Sequence, residues 1–209
     1  MPSIQELRVN GTMNGFERRA SQIKEKILHT TLRMLRTSDP KRLRIADISK
    51  QAEVSQVTIY NYFGSKEALI REAFIDYFNQ AVRDFETYMN EGHSLKEKIA
   101  HIIDLEKTSY RDFPPSLIKQ ILRDDAELAR YIEEMYREVS IPLTIRIIRE
   151  GQESGEISPD VSVENVLAFM QLYMNQYETL LDMADKSADR DKFLEGMVEM
   201  FFYGLCGRR

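Results

Sequence analysis

Apolar residues recur along this 209-residue chain at intervals of three and four, and nowhere do they settle into the strict alternation of a strand. The pattern predicts an all-α protein. Between residues 18 and 36, Ile23, Ile27, Leu28, Leu32 and Leu35 share one helical face, and Pro40 in "TSDPKR" stops the run. Ile45, Ile48 and Ala52 mark a second, short helix, and after the turn "EVS" Ser55 is placed to cap a third over 56–63. Ser65 caps a long fourth helix, whose apolar stripe runs from Leu69 and Phe74 through Tyr77, Phe78 and Phe85 to Met89 before "NEGH" ends it.

The rest of the chain stays helical. Ser94 and Glu97 form a capping box ahead of Leu95, Ile99, Ile102 and Ile103. "FPPS" at 113–116 breaks that helix, a short one runs through Leu117, Ile121 and Leu122, and another starts near Asp125. Pro142 falls inside this last helix, where it removes the hydrogen bond to the Glu138 carbonyl and bends the axis. "EGQESGEISPD" then stops it, and two final helices follow over 162–185 and 189–206. The first is apolar around most of its circumference, and the second carries a doubled face in which Phe193, Met197 and Phe201 run beside Leu194, Val198 and Phe202. One subunit of this size does not cover that much apolar surface. Phe169, Leu180, Phe193, Met197, Phe201 and Phe202 are therefore assigned to a homodimer interface.

The organisation is a mobile arm over 1–15, a three-helix head over 16–64 and a larger helical body over 65–209, with the long fourth helix joining them. Composition sharpens this division. The net charge of −5 splits into 13 basic against 8 acidic residues over 1–75, a net of +5, and 16 against 26 over 76–209, a net of −10. A polyanion is drawn to the head alone. With 43% hydrophobic and 30% charged residues the chain suits a soluble globular protein, and no apolar run approaches the roughly 18 residues a membrane span needs. The lone Cys206 excludes an internal disulfide, and with no signal-peptide pattern the expected compartment is the cytoplasm.

Catalytic constellations are missing from the pattern. His29, His93 and His101 have no metal-ligand spacing, His101 and Asp104 have no nucleophile that the sequence places beside them, and no glycine-rich phosphate loop follows a strand. The expectation is a protein that is not an enzyme, without metal or cofactor.

The stretch "VSQVTIYNYFGSK" over 54–66 carries more information than a small core helix requires. Ile59 and Phe63, four apart, form the inward seam. Three rows remain outward: Gln56 with Tyr60, Val57 with Asn61, and Thr58 with Tyr62. Two short helices joined by a tight turn, the second bearing exposed hydrogen-bonding side chains, match a helix-turn-helix whose second helix enters the DNA major groove. Lys66 adds an independent clue, because a cation in the first turn of a helix opposes the helix dipole unless a phosphate shares the site.

These residues lie within "RIADISKQAEVSQVTIYNYFGSKEALI", which resembles the DNA-binding signature of TetR/AcrR-family transcriptional regulators through Val54, Ser55, Thr58, Ile59, Tyr60, Tyr62, Phe63, Ser65, Lys66, Glu67 and Leu69. The resemblance implies that Thr58, Tyr60, Tyr62 and Lys66 contact phosphates, while Gln56, Val57 and Asn61 read base edges. Two positions depart from the pattern: Glu53 stands where glycine is common in the turn, and Arg44 replaces the usual threonine cap of the second helix, gaining a potential phosphate or minor-groove contact.

The family's function is a repressor that binds a palindromic double-stranded operator as a homodimer and is released by a small-molecule effector. Its body encloses the effector, for which the expected lining is His101, Asp104, Tyr110, Met170, Tyr173, Met174 and Tyr177. The competing reading is a helical protein-interaction adaptor without DNA binding. It accounts for the apolar helices but not for Lys66 or the outward tyrosines.

Overall fold

The computed structural model describes residues 15–206, in which every regular element is a helix. All but residue 15 of the expected arm lies outside the described residues. Within them the chain divides inside its fourth helix, between Asp76 and Tyr77, into two compact units.

The first unit holds α1 (Gly15–Leu35), α2 (Ile45–Ala52), α3 (Gln56–Phe63) and the beginning of α4 (Lys66–Asn90). Its core is the one the periodicity selects. Ile27, Leu28, Leu32 and Leu35 of α1 are buried, as are Ile45, Ile48 and Ala52 of α2, Ile59 and Phe63 of α3, and Leu69, Ile70, Ala73 and Phe74 of α4. Polar groups in this core are satisfied locally: the buried Thr31 hydroxyl donates to the Ile27 carbonyl at 2.8 Å.

The second unit continues α4 and adds α5 (Leu95–Asp112), α6 (Pro115–Asp124), α7 (Ala126–Met135), α8 (Ile141–Glu153), α9 (Val163–Asn175), α10 (Tyr177–Lys186) and α11 (Arg190–Cys206). The capping box of α5 forms in both directions, with the Ser94 hydroxyl accepting from Glu97 N and the Glu97 carboxylate accepting from Ser94 N. Met89, Leu95, Ile147 and Ile157 make one buried cluster, flanked by Phe85, Tyr88, Ile99, Ile102 and Val161. Gly151 permits it: a Cβ there would sit 2.7 Å from Ile157 Cδ1, so only glycine lets α8 approach the residues that follow it.

One predicted helix is modified and another divided. The helix expected to run through Pro142 does so in continuous helical backbone, as α7, a π-helical turn at Tyr136–Ser140 and α8 with Pro142 near its start. The π turn lies just before the proline, where the missing N–H and the ring disturb the regular i to i−4 ladder. The helix expected over 162–185 breaks at Gln176, whose φ of −102° and ψ of 9° separate α9 from α10. Neither glycine nor proline marks that break; the Gln176 side-chain oxygen instead accepts from the Thr179 hydroxyl at 3.3 Å, tying down the first turn of α10.

Candidate nucleic-acid interface

The geometry of α3 is set by the turn before it. Glu53 takes a left-handed conformation, φ 53° and ψ 40°, which the sequence left open at this non-glycine position. Its N–H bonds the Ser49 carbonyl, Val54 N bonds the same carbonyl at 3.1 Å, and the Ser49 hydroxyl donates to the Val54 carbonyl at 2.6 Å. Lys26 Nζ, 2.7 Å from Glu53 Oε2, pins the turn to α1 and holds the Glu53 carboxyl below the ordinary carboxylate range. Ser55 then caps α3 as expected, its Oγ accepting from Thr58 N at 3.0 Å and lying 2.8 Å from the Thr58 hydroxyl.

From that cap the helix presents two unlike faces. Ile59 and Phe63 are buried, while Gln56, Val57, Tyr60, Asn61 and Tyr62 are exposed and Thr58 is half-buried. Val57 at 67% and Tyr60 at 47% relative exposure are high values for side chains this apolar. The exposed row alternates amides, phenol hydroxyls and a methyl-bearing side chain, which is the chemistry that reads and grips a duplex.

Gly64, with φ 75°, ends α3, and the Ser65 hydroxyl caps α4 by accepting from Ala68 N at 3.0 Å. Lys66 opens α4 half-buried and donates from Nζ to the Pro40 carbonyl at 3.2 Å. The lysine thus joins the start of α4 to the connection between α1 and α2, a role the sequence did not indicate. An ammonium has three donors, so two remain for a phosphate. Arg44, at the head of α2, makes no cap hydrogen bond. Its guanidinium instead forks onto Asp47, Nε to Oδ2 at 2.8 Å and Nη2 to Oδ1 at 3.2 Å. That pairing holds the Asp47 carboxyl below its ordinary range and leaves the arginine largely exposed.

Of the expected effector residues in the second unit, His101, Asp104 and Met170 have described side chains. His101 is half-buried and stacked on Tyr88, ring centroids 3.8 Å apart, while Tyr88 also stacks with His93 at 4.0 Å. His101 Nε2 is sealed from solvent with no hydrogen-bond partner. Asp104 is exposed and Met170 half-buried. The side chains of Tyr110, Tyr173, Met174 and Tyr177 lie outside the described residues. A groove of about 530 Å³ is lined by Pro142, Ile145, Arg146, Arg149, Glu150 and Glu153 of α8. Sequence reasoning missed it because charged residues three and four apart ordinarily form a solvated stripe.

Of the residues assigned to a dimer interface, Phe169 is exposed and its ring lies 5.5 Å from that of Phe201. Leu180, Phe193, Met197 and Phe201 are half-buried, Phe193 packing on Ala184 and Leu194, and the Phe202 side chain lies outside the described residues. Leu172 and Met200, which are not among the residues assigned to the interface, are exposed at 65% and 71%. Among the described residues no helix is long and apolar enough to cross a membrane.

The family model described as "Bacterial regulatory proteins, tetR family" matches residues 27–73, the span from the middle of α1 into α4. The fatty acid metabolism regulator protein of Bacillus subtilis is 25% identical over 165 residues, covering 78% of this chain and 84% of that protein. Among solved structures, the transcriptional regulator FadR from Bacillus subtilis in complex with stearoyl-CoA superposes with a TM-score of 0.62 at 23% identity, covering 87% of this chain and 98% of the other. A transcriptional regulator from Saccharomonospora viridis in complex with choline gives a TM-score of 0.72 at 17% identity, covering 90% of this chain and all, 100%, of the other.

Proposed function

The chain belongs to the TetR family of transcriptional regulators, and we propose that it is a repressor that grips a palindromic operator as a homodimer and releases it when a small molecule binds the second unit. The observation that carries this reading is the division of α3 into a buried seam, Ile59 and Phe63, and an exposed row of amides and phenols. A helix that only completed a core would not leave that row wet.

In this reading α3 lies in the major groove. Gln56 and Asn61 pair with base edges and Val57 touches a thymine methyl, while Thr58, Tyr60, Tyr62 and Lys66 hold phosphates. Arg44 adds a further phosphate or minor-groove contact once it lets go of Asp47, an exchange that is easy because an exposed ion pair contributes little. A homodimer sets two such helices about 34–36 Å apart, one helical turn of DNA. The exposed apolar residues of α9, α10 and α11, Phe169, Leu172, Met183 and Met200, support that assembly. Relatives of similar fold carry stearoyl-CoA and choline, which supports a small-molecule effector, and α4, shared by both units, is the element through which its binding reaches the head.

Binding to duplex DNA at graded salt is the test. Affinity should fall steeply with salt, and Lys66→Ala should lower the slope of log affinity against log salt by about 1 while weakening all sequences alike. Tyr60→Phe should also weaken all sequences. Asn61→Ala should change which bases are preferred, by about 1–3 kcal/mol at one position. A protein whose DNA binding survives all three substitutions, or shows no salt dependence, does not use α3 in this way.

A further inference from the structure

We propose that the α8 groove binds an organic anion, with Arg146 receiving its negatively charged head and Pro142 and Ile145 its apolar part. The proposal rests on the effector-responsive reading above and gives that effector a chemical class. Arg146 is the reason. Its side chain is 39% exposed, yet Nε and Nη2 are covered and have no hydrogen-bond partner, which leaves two guanidinium donors unsatisfied.

The nearest acid does not meet that need. Glu150, one turn on, lies 3.7 Å from Arg146 Nε, an attractive distance but too long for a hydrogen bond. Its other oxygen is taken at 2.7 Å by Lys98 Nζ from α5. Lys98 is itself buried, so Glu150 is committed to compensating that ammonium. Among the described lining residues and their Lys98 neighbour, the cations Lys98, Arg146 and Arg149 outnumber the anions Glu150 and Glu153. A cationic guest would add to that excess, whereas a carboxylate or phosphate would offset it and accept from the idle donors of Arg146.

The remaining lining gives the rest of the ligand. Pro142 and Ile145 precede Arg146 on the same helix face, so apolar contacts line the groove next to the charged end. Its volume of about 530 Å³ falls within the range of small-molecule sites, roughly 300–1,000 Å³. A carboxylate or phosphate ester with an aliphatic or aromatic body fits that description.

Calorimetric titration of the full-length protein with octanoate, octyl phosphate, octyltrimethylammonium and 1-octanol compares four head groups on one tail. Binding by either anion, with the cation and the alcohol at least about tenfold weaker, is the expected result; octanoate alone identifies a carboxylate, octyl phosphate alone a phosphate. Arg146→Gln should cost the preferred anion at least about tenfold in affinity, and Arg146→Lys, which keeps the charge but loses the fork, a smaller factor. Circular dichroism melts report whether the variants fold; if they do not, the head-group series on the unsubstituted protein decides alone. Equal binding of the alcohol or cation, no anion binding, or an unchanged anion affinity in folded Arg146→Gln overturns the proposal. Duplex DNA binding is followed in the same preparation. Its absence would count against the regulator reading, and its persistence without anion binding would count against this site only.

Discussion

Both units of the molecule expose large side chains, but not of the same kind. On α3 the exposed aromatic residues are tyrosines, each with a hydrogen-bonding end, beside Gln56, Asn61 and the apolar Val57. On α9, α10 and α11 the exposed large apolar side chains are Phe169, Leu172, Met183 and Met200, which carry no strong hydrogen-bonding group. The first surface suits a wet, polar partner such as a duplex, and the second suits the dry centre of a protein interface. The interiors differ in step. The first unit buries apolar residues from all four of its helices, whereas the second buries Lys98 and leaves nitrogens of His101 and Arg146 without hydrogen-bond partners. In the proposed reading, one unit is complete by itself and the other is finished by what it binds.

That contrast predicts where a substitution costs folding and where it costs association. The largest effect is expected at Ile59, fully buried at the centre of the α3 seam. Ile59→Ala removes packing that nothing nearby can replace and should destabilise the first unit by about 2–5 kcal/mol in a denaturant titration. Loss of DNA binding would follow from unfolding of the recognition helix. A change below about 1 kcal/mol would mean that the unit is loosely packed, and the comparison would collapse.

Association is tested at Leu172. Because it is 65% exposed, Leu172→Asp leaves the fold of the second unit intact. A carboxylate in an apolar interface is nevertheless poorly tolerated, so sedimentation should show the proposed dimer weakened by at least about tenfold, with operator affinity falling in parallel. A dimer unchanged by this substitution would place the contact elsewhere.

How much of this was legible in the sequence follows from the same contrast. The first unit was readable because each signal had one use: Ile27, Leu32, Ile48, Ile59 and Phe74 fell on helical faces, and Ser55 and Ser65 announced their caps. The exposed row of α3 was readable because polar groups on a short helix beside the Ile59 and Phe63 seam have no packing role to explain them. In the second unit, periodicity did not reveal the break at Gln176, since the apolar pattern continues through it. Pro142 did signal a disturbance, although not the π turn that absorbs it. Nor could spacing show that Lys98 would occupy Glu150 and leave Arg146 short of an acceptor. That depends on which helix faces α8, and contact between residues 52 positions apart has no local signature.

The smallest predicted effect concerns the turn that aims α3. Glu53 holds a left-handed conformation in which its Cβ is crowded, and glycine would relieve that crowding. Glycine would also give up the pair with Lys26, but that pair is exposed and contributes little. Glu53→Gly should therefore melt slightly above the unsubstituted protein, and Glu53→Val, with a branched Cβ in the same conformation, below it. Glu53→Gln isolates the charge. Lys26 lowers the folded carboxyl's affinity for a proton, so the pair's contribution is present above the ordinary carboxylate range and fades as pH falls through the lowered folded value. The small deficit of Glu53→Gln at neutral pH should vanish in acid. If Glu53→Gly and Glu53→Gln both melt well below the unsubstituted protein, the turn is held by the Lys26 contact, and the first unit depends on its exposed surface more than its sealed core suggests.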